Sequence, residues 1–162
     1  MKTRTLGLLI VAVVVVVAAV LVVAARGGSS AGSGKEYTGT VVAPAAFSAA
    51  DYRGKPLVIN FFGSWCEYCK LEAGDLARFA RQNPDAQVVG IASQDTEQDA
   101  RAFMARYGLT YPLVVDDGSL TAGYHINAWP TTIFFDAAGK ETDRLVGAST
   151  FDQFTASLAK AR

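Results

Sequence analysis

The chain has 162 residues, 51% of them hydrophobic, enough to bury one good core and so to form a single domain once its first few dozen residues are set aside. Its formal net charge is zero, but Lys2, Arg4 and Arg26 precede any acidic residue, so residues 27–162 carry 12 basic against 15 acidic groups, net −3. That balance argues against nucleic acid as a partner, and two Cys with one His are too few ligands for a structural zinc site.

Residues 6–25 form an uncharged run of 20 residues rich in Val, Ala and Leu. As a helix it is long enough to cross about 30 Å of hydrocarbon. Lys2 and Arg4 before it favour a cytoplasmic N-terminus, which places the rest of the chain on the outer face of the membrane. The alternative is a cleaved secretory signal, since Val23-Ala24-Ala25 resembles a small-residue cleavage site. Residues 1–26 therefore read as a membrane anchor or a signal peptide. The domain is expected to be extracytoplasmic, on a single-pass protein of the cell membrane, or secreted if the signal is removed. Gly27-Gly28-Ser29-Ser30-Ala31-Gly32-Ser33-Gly34 has too little apolar surface to fold and opens a flexible linker over 27–39, with the globular domain over 40–162.

Within the domain, Thr40-Val41-Val42 suggests a short strand, and residues 47–56 a turn-rich lead into the apolar run Leu57-Val58-Ile59-Asn60-Phe61-Phe62, which reads as a buried strand. A helix is expected from Cys66 onward, carried by Leu71, Ala73, Leu76, Ala77, Phe79 and Ala80 and stopped at Asn83-Pro84. Residues 87–93 read as a second core strand. Asp95-Thr96-Glu97-Gln98 reads as a capping box for a helix ending at Tyr107-Gly108. Strands at 113–115 and 132–135, a short helix at 119–124, a hairpin turn at 136–140 into a strand at 141–146, and a terminal helix capped by Thr150-Phe151-Asp152-Gln153 complete the pattern. Strands alternating with helices, then a closing hairpin and helix, predict an α/β fold with a mixed β-sheet sandwiched by helices.

Both cysteines lie in Trp65-Cys66-Glu67-Tyr68-Cys69-Lys70, where strand hands over to helix. Unpaired amides and the positive end of the helix dipole stabilise a thiolate there, so Cys66 is the nucleophile candidate. Cys69 follows about one turn later, close enough to close a disulfide with little backbone movement. A c-type haem attachment site would need His where Lys70 stands. An inert stapling bridge in so short a loop adds little stability and is easily attacked. Redox chemistry is the reading that remains strongest.

Trp65-Cys66-Glu67-Tyr68-Cys69-Lys70, followed by Glu72 and later by Trp129-Pro130-Thr131-Thr132, resembles the thioredoxin superfamily. Residues 95–116 resemble the added strand-helix insertion of its membrane-anchored, extracytoplasmic thiol-disulfide oxidoreductase branch, which includes the thioredoxin-like reductases of bacterial cytochrome c maturation. The resemblance covers residues 40–162. It implies a thioredoxin-like fold, catalysis by attack of Cys66 and resolution by Cys69 through a redox disulfide between the two, and no cofactor or metal. It further implies that Pro130 is a cis-proline and that Trp65, Trp129, Pro130 and Thr131 border the substrate. Glu72 matches an acidic residue near the active site, where it can exchange protons with Cys69; its other reading is a solvated helix carboxylate. His125 reads as an ordinary surface or half-buried histidine.

The chain departs from the family pattern at three places. Tyr68 stands between the cysteines where Pro is common, Trp129 stands where a small aliphatic residue often precedes the cis-proline, and Gly74 replaces a helix-kinking Pro, which points to a straighter or looser helix. Three functions stay open. The first is a reductase of protein disulfides, such as those of apocytochrome c, recharged by a transmembrane electron carrier. The second is a disulfide-donating oxidase for secreted proteins, and the third a Cu(I) metallochaperone using Cys66, Cys69 and His125. A peroxidase fits less well, because it lacks the Trp-Cys-x-x-Cys context.

Overall fold

The structure is a computed structural model that describes residues 36–162, so the expected membrane segment and most of the linker lie outside the described residues. Among the described residues no helix is long and apolar enough to cross a membrane. Packing begins earlier than composition suggests. Tyr37, which reads as linker, is buried, and its hydroxyl contacts the Tyr111 carbonyl at 2.6 Å and the Thr40 carbonyl at 3.2 Å. Desolvation pushes that phenol up to about 12, so it remains a donor.

Six strands form one sheet: β1 (Val41–Val42), β2 (Leu57–Phe62), β3 (Gln87–Ala92), β4 (Leu113–Val115), β5 (Thr131–Phe135) and β6 (Glu141–Val146), in the order β1-β4-β3-β2-β5-β6. The first four run parallel; β5 is antiparallel to β2, and β6 to β5. Four helices join them: α1 (Glu67–Gln82), α2 (Glu97–Tyr107), the short α3 (Ser119–Gly123) and α4 (Phe151–Lys160).

All six residues of β2 are buried, as expected for a central strand covered on both faces. Successive side chains point to opposite faces. Val58 and Phe62 therefore join Leu76, Phe79, Met104 and Phe154 from α1, α2 and α4. Leu57, Ile59 and Phe61 join Phe47, Ile126 and Ile133 on the other face, against which Ala49 and Tyr52 of a 3-10 turn and Leu120 of α3 are packed. The mixed sheet sandwiched by helices is the architecture the sequence predicts, and residues 95–116 supply α2 and β4 to it.

The departures are local. β3 ends at Ala92 because the chain turns at Gln94, whose φ is 52°. The expected capping box at 95–98 is displaced. Thr96 is the N-cap of α2; its hydroxyl accepts the Asp99 N–H at 3.1 Å and donates to the Asp99 carboxylate at 2.7 Å, while Asp95 points elsewhere. At α4 the reciprocal Thr150/Gln153 box is present as predicted.

α1 runs unbroken through Gly74, which is solvent-exposed and has no atom within 4 Å of the position a Cβ would take. Glycine in an exposed helix interior costs about 0.5–1 kcal/mol relative to alanine. Gly74→Ala is therefore expected to stabilise the domain by about that much, read as a higher urea midpoint at unchanged slope; a fall in the midpoint would contradict the open surface described at this site.

Candidate active site

The strand-to-helix junction sets the site. β2 ends at Phe62, the turn Gly63-Ser64-Trp65 follows, and Cys66 is the N-cap of α1 in extended backbone. The Cys66 N–H closes the turn onto the Gly63 carbonyl at 3.0 Å, and the Cys66 Sγ accepts the Cys69 N–H at 3.2 Å. The sulfur thus takes one of the amide donors that a helix start leaves unpaired, where the dipole favours negative charge. Cys66 and Cys69 are joined as a disulfide with their Cα atoms 5.3 Å apart, inside the usual range. Cys66 is 6% exposed and Cys69 1%, so an incoming group reaches the first sulfur more readily.

Gly63 is required by contact. A Cβ there would lie 2.5 Å from the Trp65 indole, which folds back over the turn and donates its N–H to the Ser93 carbonyl at 3.2 Å. Trp65 remains 48% exposed and meets Trp129 edge-on at 5.7 Å between ring centroids. The Trp129 carbonyl oxygen lies 3.6 Å from Cys66 Sγ, and the Trp129-Pro130 peptide bond is cis. The Trp129 indole N–H is buried with no hydrogen-bond partner among the described residues. The Pro130 carbonyl accepts the Gly147 N–H at 2.8 Å, which anchors this loop to the end of β6. Thr131 is buried, and its hydroxyl is engaged by the Ala128 carbonyl at 2.8 Å, so that side chain serves the loop. Tyr68, Leu71 and Val146 are large apolar side chains left exposed.

Glu72 is buried, which corrects its reading as a solvated helix carboxylate, and Leu71, one of the apolar residues at helical spacing, is exposed. The reason is angular. The buried face of α1 is set by Cys69, Ala73 and Leu76, and position 72 lies three residues after one and four before another, while 71 points away. Glu72 Oε1 accepts the Asn60 side-chain amide and Oε2 the Ser149 backbone N–H, both at 2.9 Å; Asn60 also donates to the Thr132 hydroxyl at 2.9 Å. Burial pushes the Glu72 carboxyl up to about 7, against the two hydrogen bonds that lower it.

The fold therefore brings Cys66, Cys69, Trp65 and Trp129 together, with Glu72 one helical turn below Cys69. Sequence reasoning missed Asn60, Ser149, Ser64 and Asp95. Asn60 left a signal, as the lone polar residue in an apolar strand; Ser149, 77 residues from Glu72, left none. His125 is exposed, and among the described residues no group of three or more His, Cys, Asp or Glu side chains is placed to hold a metal, so the third ligand of the Cu(I) reading is not at the pair.

The chain is similar to known proteins. The chain is 33% identical over 108 residues to the soluble secreted antigen MPT53 of Mycobacterium tuberculosis, a match covering 66% of the chain and 62% of the relative's length. It is 26% identical over 113 residues to the thiol-disulfide oxidoreductase ResA of Bacillus anthracis, covering 68% of the chain and 65% of ResA. The crystal structure of a secreted Mycobacterium tuberculosis disulfide oxidoreductase homologous to Escherichia coli DsbE superposes with a TM-score of 0.65 at 30% identity, over 70% of this chain and 87% of that one. Residues 35–142 match the AhpC/TSA family over most of the described domain. On that match and on this fold, the chain belongs to the AhpC/TSA family of thioredoxin-like proteins.

Proposed function

We propose that the chain is an extracytoplasmic protein thiol-disulfide oxidoreductase that reduces protein disulfides, with those of apocytochrome c as the candidate substrates. The observation that carries this reading is a dithiol pair at a helix start with a buried, near-neutral carboxyl one turn beneath its second cysteine. The names of the similar proteins, secreted and thiol-disulfide oxidoreductase, support both the compartment and the chemistry.

In the proposed cycle the Cys66 thiolate attacks one sulfur of a substrate disulfide. The substrate S–S bond breaks, a Cys66–substrate bond forms, and the displaced substrate thiolate takes a proton. Cys69 then gives its proton to the Glu72 carboxylate and attacks Cys66 Sγ, which closes the Cys66–Cys69 disulfide and expels the second substrate thiolate, and that thiolate takes up the proton that Glu72 releases. Two electrons and two protons have passed to the substrate. A membrane thiol carrier returns them to the chain, whose residues 1–26 keep the domain near that carrier, or release it if they are cleaved. The apolar rim of Trp65, Trp129, Tyr68 and Val146 receives the substrate segment, with the cis Trp129-Pro130 backbone facing the exchanging sulfurs.

The reduced protein should be alkylated at Cys66 far faster than at Cys69 at neutral pH, with an apparent pKa for Cys66 below the free-thiol value of about 8.5. Equal rates at the two thiols remove the nucleophile assignment. Cys69→Ala should retain substrates as covalent adducts on Cys66, because no other thiol in the chain can release them. Trp129→Ala in that trap should change which adducts form while Cys66 alkylates at nearly the same rate. Recovered Cys-x-x-Cys-His haem-binding proteins and a membrane thiol carrier support the reductase, and a broad set of newly secreted cysteine proteins supports an oxidase instead.

Glu72 makes two pH predictions. Its native carboxyl titrates near 7, above its ordinary value of 4.5, so it favours the folded oxidised protein fully below about pH 4.5, and that contribution is lost as pH rises through about 7. The loss is about 3 kcal/mol, and Glu72→Gln should remove the slope between those limits in a urea titration. The same substitution should flatten the rise of mixed-disulfide resolution through about pH 7; an unchanged profile returns Glu72 to a purely structural role.

A further inference from the structure

Asp95 is tied to the loop that carries the nucleophile. It follows the turn at Gln94 and lies just before Thr96, the N-cap of α2. Oδ2 accepts the Ser64 backbone N–H at 2.6 Å and Oδ1 the Ser64 hydroxyl at 2.8 Å, and Oδ1 also takes the Thr96 N–H at 3.0 Å. Two residues further back, the Ser93 carbonyl holds the Trp65 indole N–H. The turn 63–66 is thus gripped at two consecutive residues by the segment that leaves β3. Hydrogen bonds to an ionised acceptor are about twice as strong as neutral ones, so the grip is firm.

The charge that makes the grip firm also acts on the sulfur. Ser64 lies two residues before Cys66, which keeps the Asp95 carboxylate within roughly 10 Å of Cys66 Sγ, about one Debye length at an ionic strength of about 0.1 M. Among the described residues no Lys or Arg forms a salt bridge with Asp95. The other charged groups near the turn lie on α1 and α2. On α1, Lys70 pairs with Glu67 at 2.6 Å, and Glu72 is held from below by Asn60 and Ser149. On α2, the Asp99 carboxylate takes the Thr96 hydroxyl, and Arg106, 5.7 Å from the Tyr107 ring, lines with Lys70, Asp99 and Ser64 a cleft of about 260 Å³.

We propose that Asp95 is a positioning residue that fixes the nucleophile loop and, through its negative charge, makes the Cys66–Cys69 pair more reducing. The inference rests on the reading of Cys66 as the nucleophile. The helix start stabilises the Cys66 thiolate and with it the reduced protein, which on its own makes a dithiol pair more oxidising. A fixed carboxylate on the adjoining turn opposes that stabilisation. It shifts the balance toward the disulfide form and strengthens the pair as an electron donor, the direction a reductase needs.

The test is the exchange of the full chain with glutathione, in which the protein disulfide and two glutathione thiols give the protein dithiol and one glutathione disulfide. Asp95→Asn keeps an oxygen for the Ser64 N–H but removes the charge. It should move the equilibrium toward the dithiol by on the order of fivefold and carry the Cys66 alkylation profile to lower pH by roughly half a unit or more. Asp95→Ser should move both readouts the same way, while Ser64→Ala, which keeps the charge and the backbone bond, should leave both within about twofold of wild type. Unchanged readouts in folded Asp95→Asn and Asp95→Ser overturn the proposal. So does a Ser64→Ala shift as large as that of Asp95→Asn, or the unfolding of both Asp95 variants, since each makes Asp95 a structural anchor alone. A wild-type protein in which Cys69 reacts faster than Cys66 would instead strike the underlying mechanism, whatever Asp95 does.

Discussion

A buried carboxyl linking three elements is the constraint on which the site depends. Glu72 of α1 binds Asn60 in the central strand and the Ser149 amide just before α4, three positions that are far apart in the chain. Removing a carboxylate from water without compensation costs several kcal/mol, and here the cost is offset by two hydrogen bonds and by a carboxyl that titrates near neutrality. The arrangement fixes the rotation of α1 about its axis. That rotation sends Cys69, Ala73 and Leu76 inward and leaves Tyr68 and Leu71 outside.

The site above that carboxyl is built from two loops that meet at one sulfur. One is the turn ending β2, where Gly63 makes room for Trp65; the other is the loop entering β5, where the Trp129 carbonyl faces Cys66. Each loop is tied to structure behind it, the first through Ser93 and Asp95 and the second through Gly147. The two tryptophans meet edge to face between these anchors, a favoured geometry for aromatic pairs. The Cys66–Cys69 disulfide is therefore bordered by the two tryptophans and by loops tied to the strands behind them.

Much of the fold is legible in the sequence because its signals are local. The β2 run, the helix stop at Asn83-Pro84, the Gly108 cap and the Thr150/Gln153 box each follow from residues within a few positions of one another. The errors have equally physical origins. A capping box at residues 95–98 fits helix propensity, but the Asp95 carboxylate is bound by Ser64, 31 residues earlier, and Thr96 caps instead. Leu71 fits a list of apolar spacings that ignores which face the helix presents.

By itself the sequence determined the placement of the cysteine pair, two cysteines one helical turn apart at a strand-to-helix junction, because thiol placement relative to a helix start depends only on neighbouring residues. It also determined the alternation that lays one strand face against α1 and the other against the opposite layer. Only the tertiary structure decided that Glu72 is buried rather than solvated, that Asn60 and Ser149 hold it, and that Asp95 grips the turn before Cys66. Each of those facts joins groups 12 to 77 residues apart, and a hydrogen bond between distant segments leaves no period or motif along the chain.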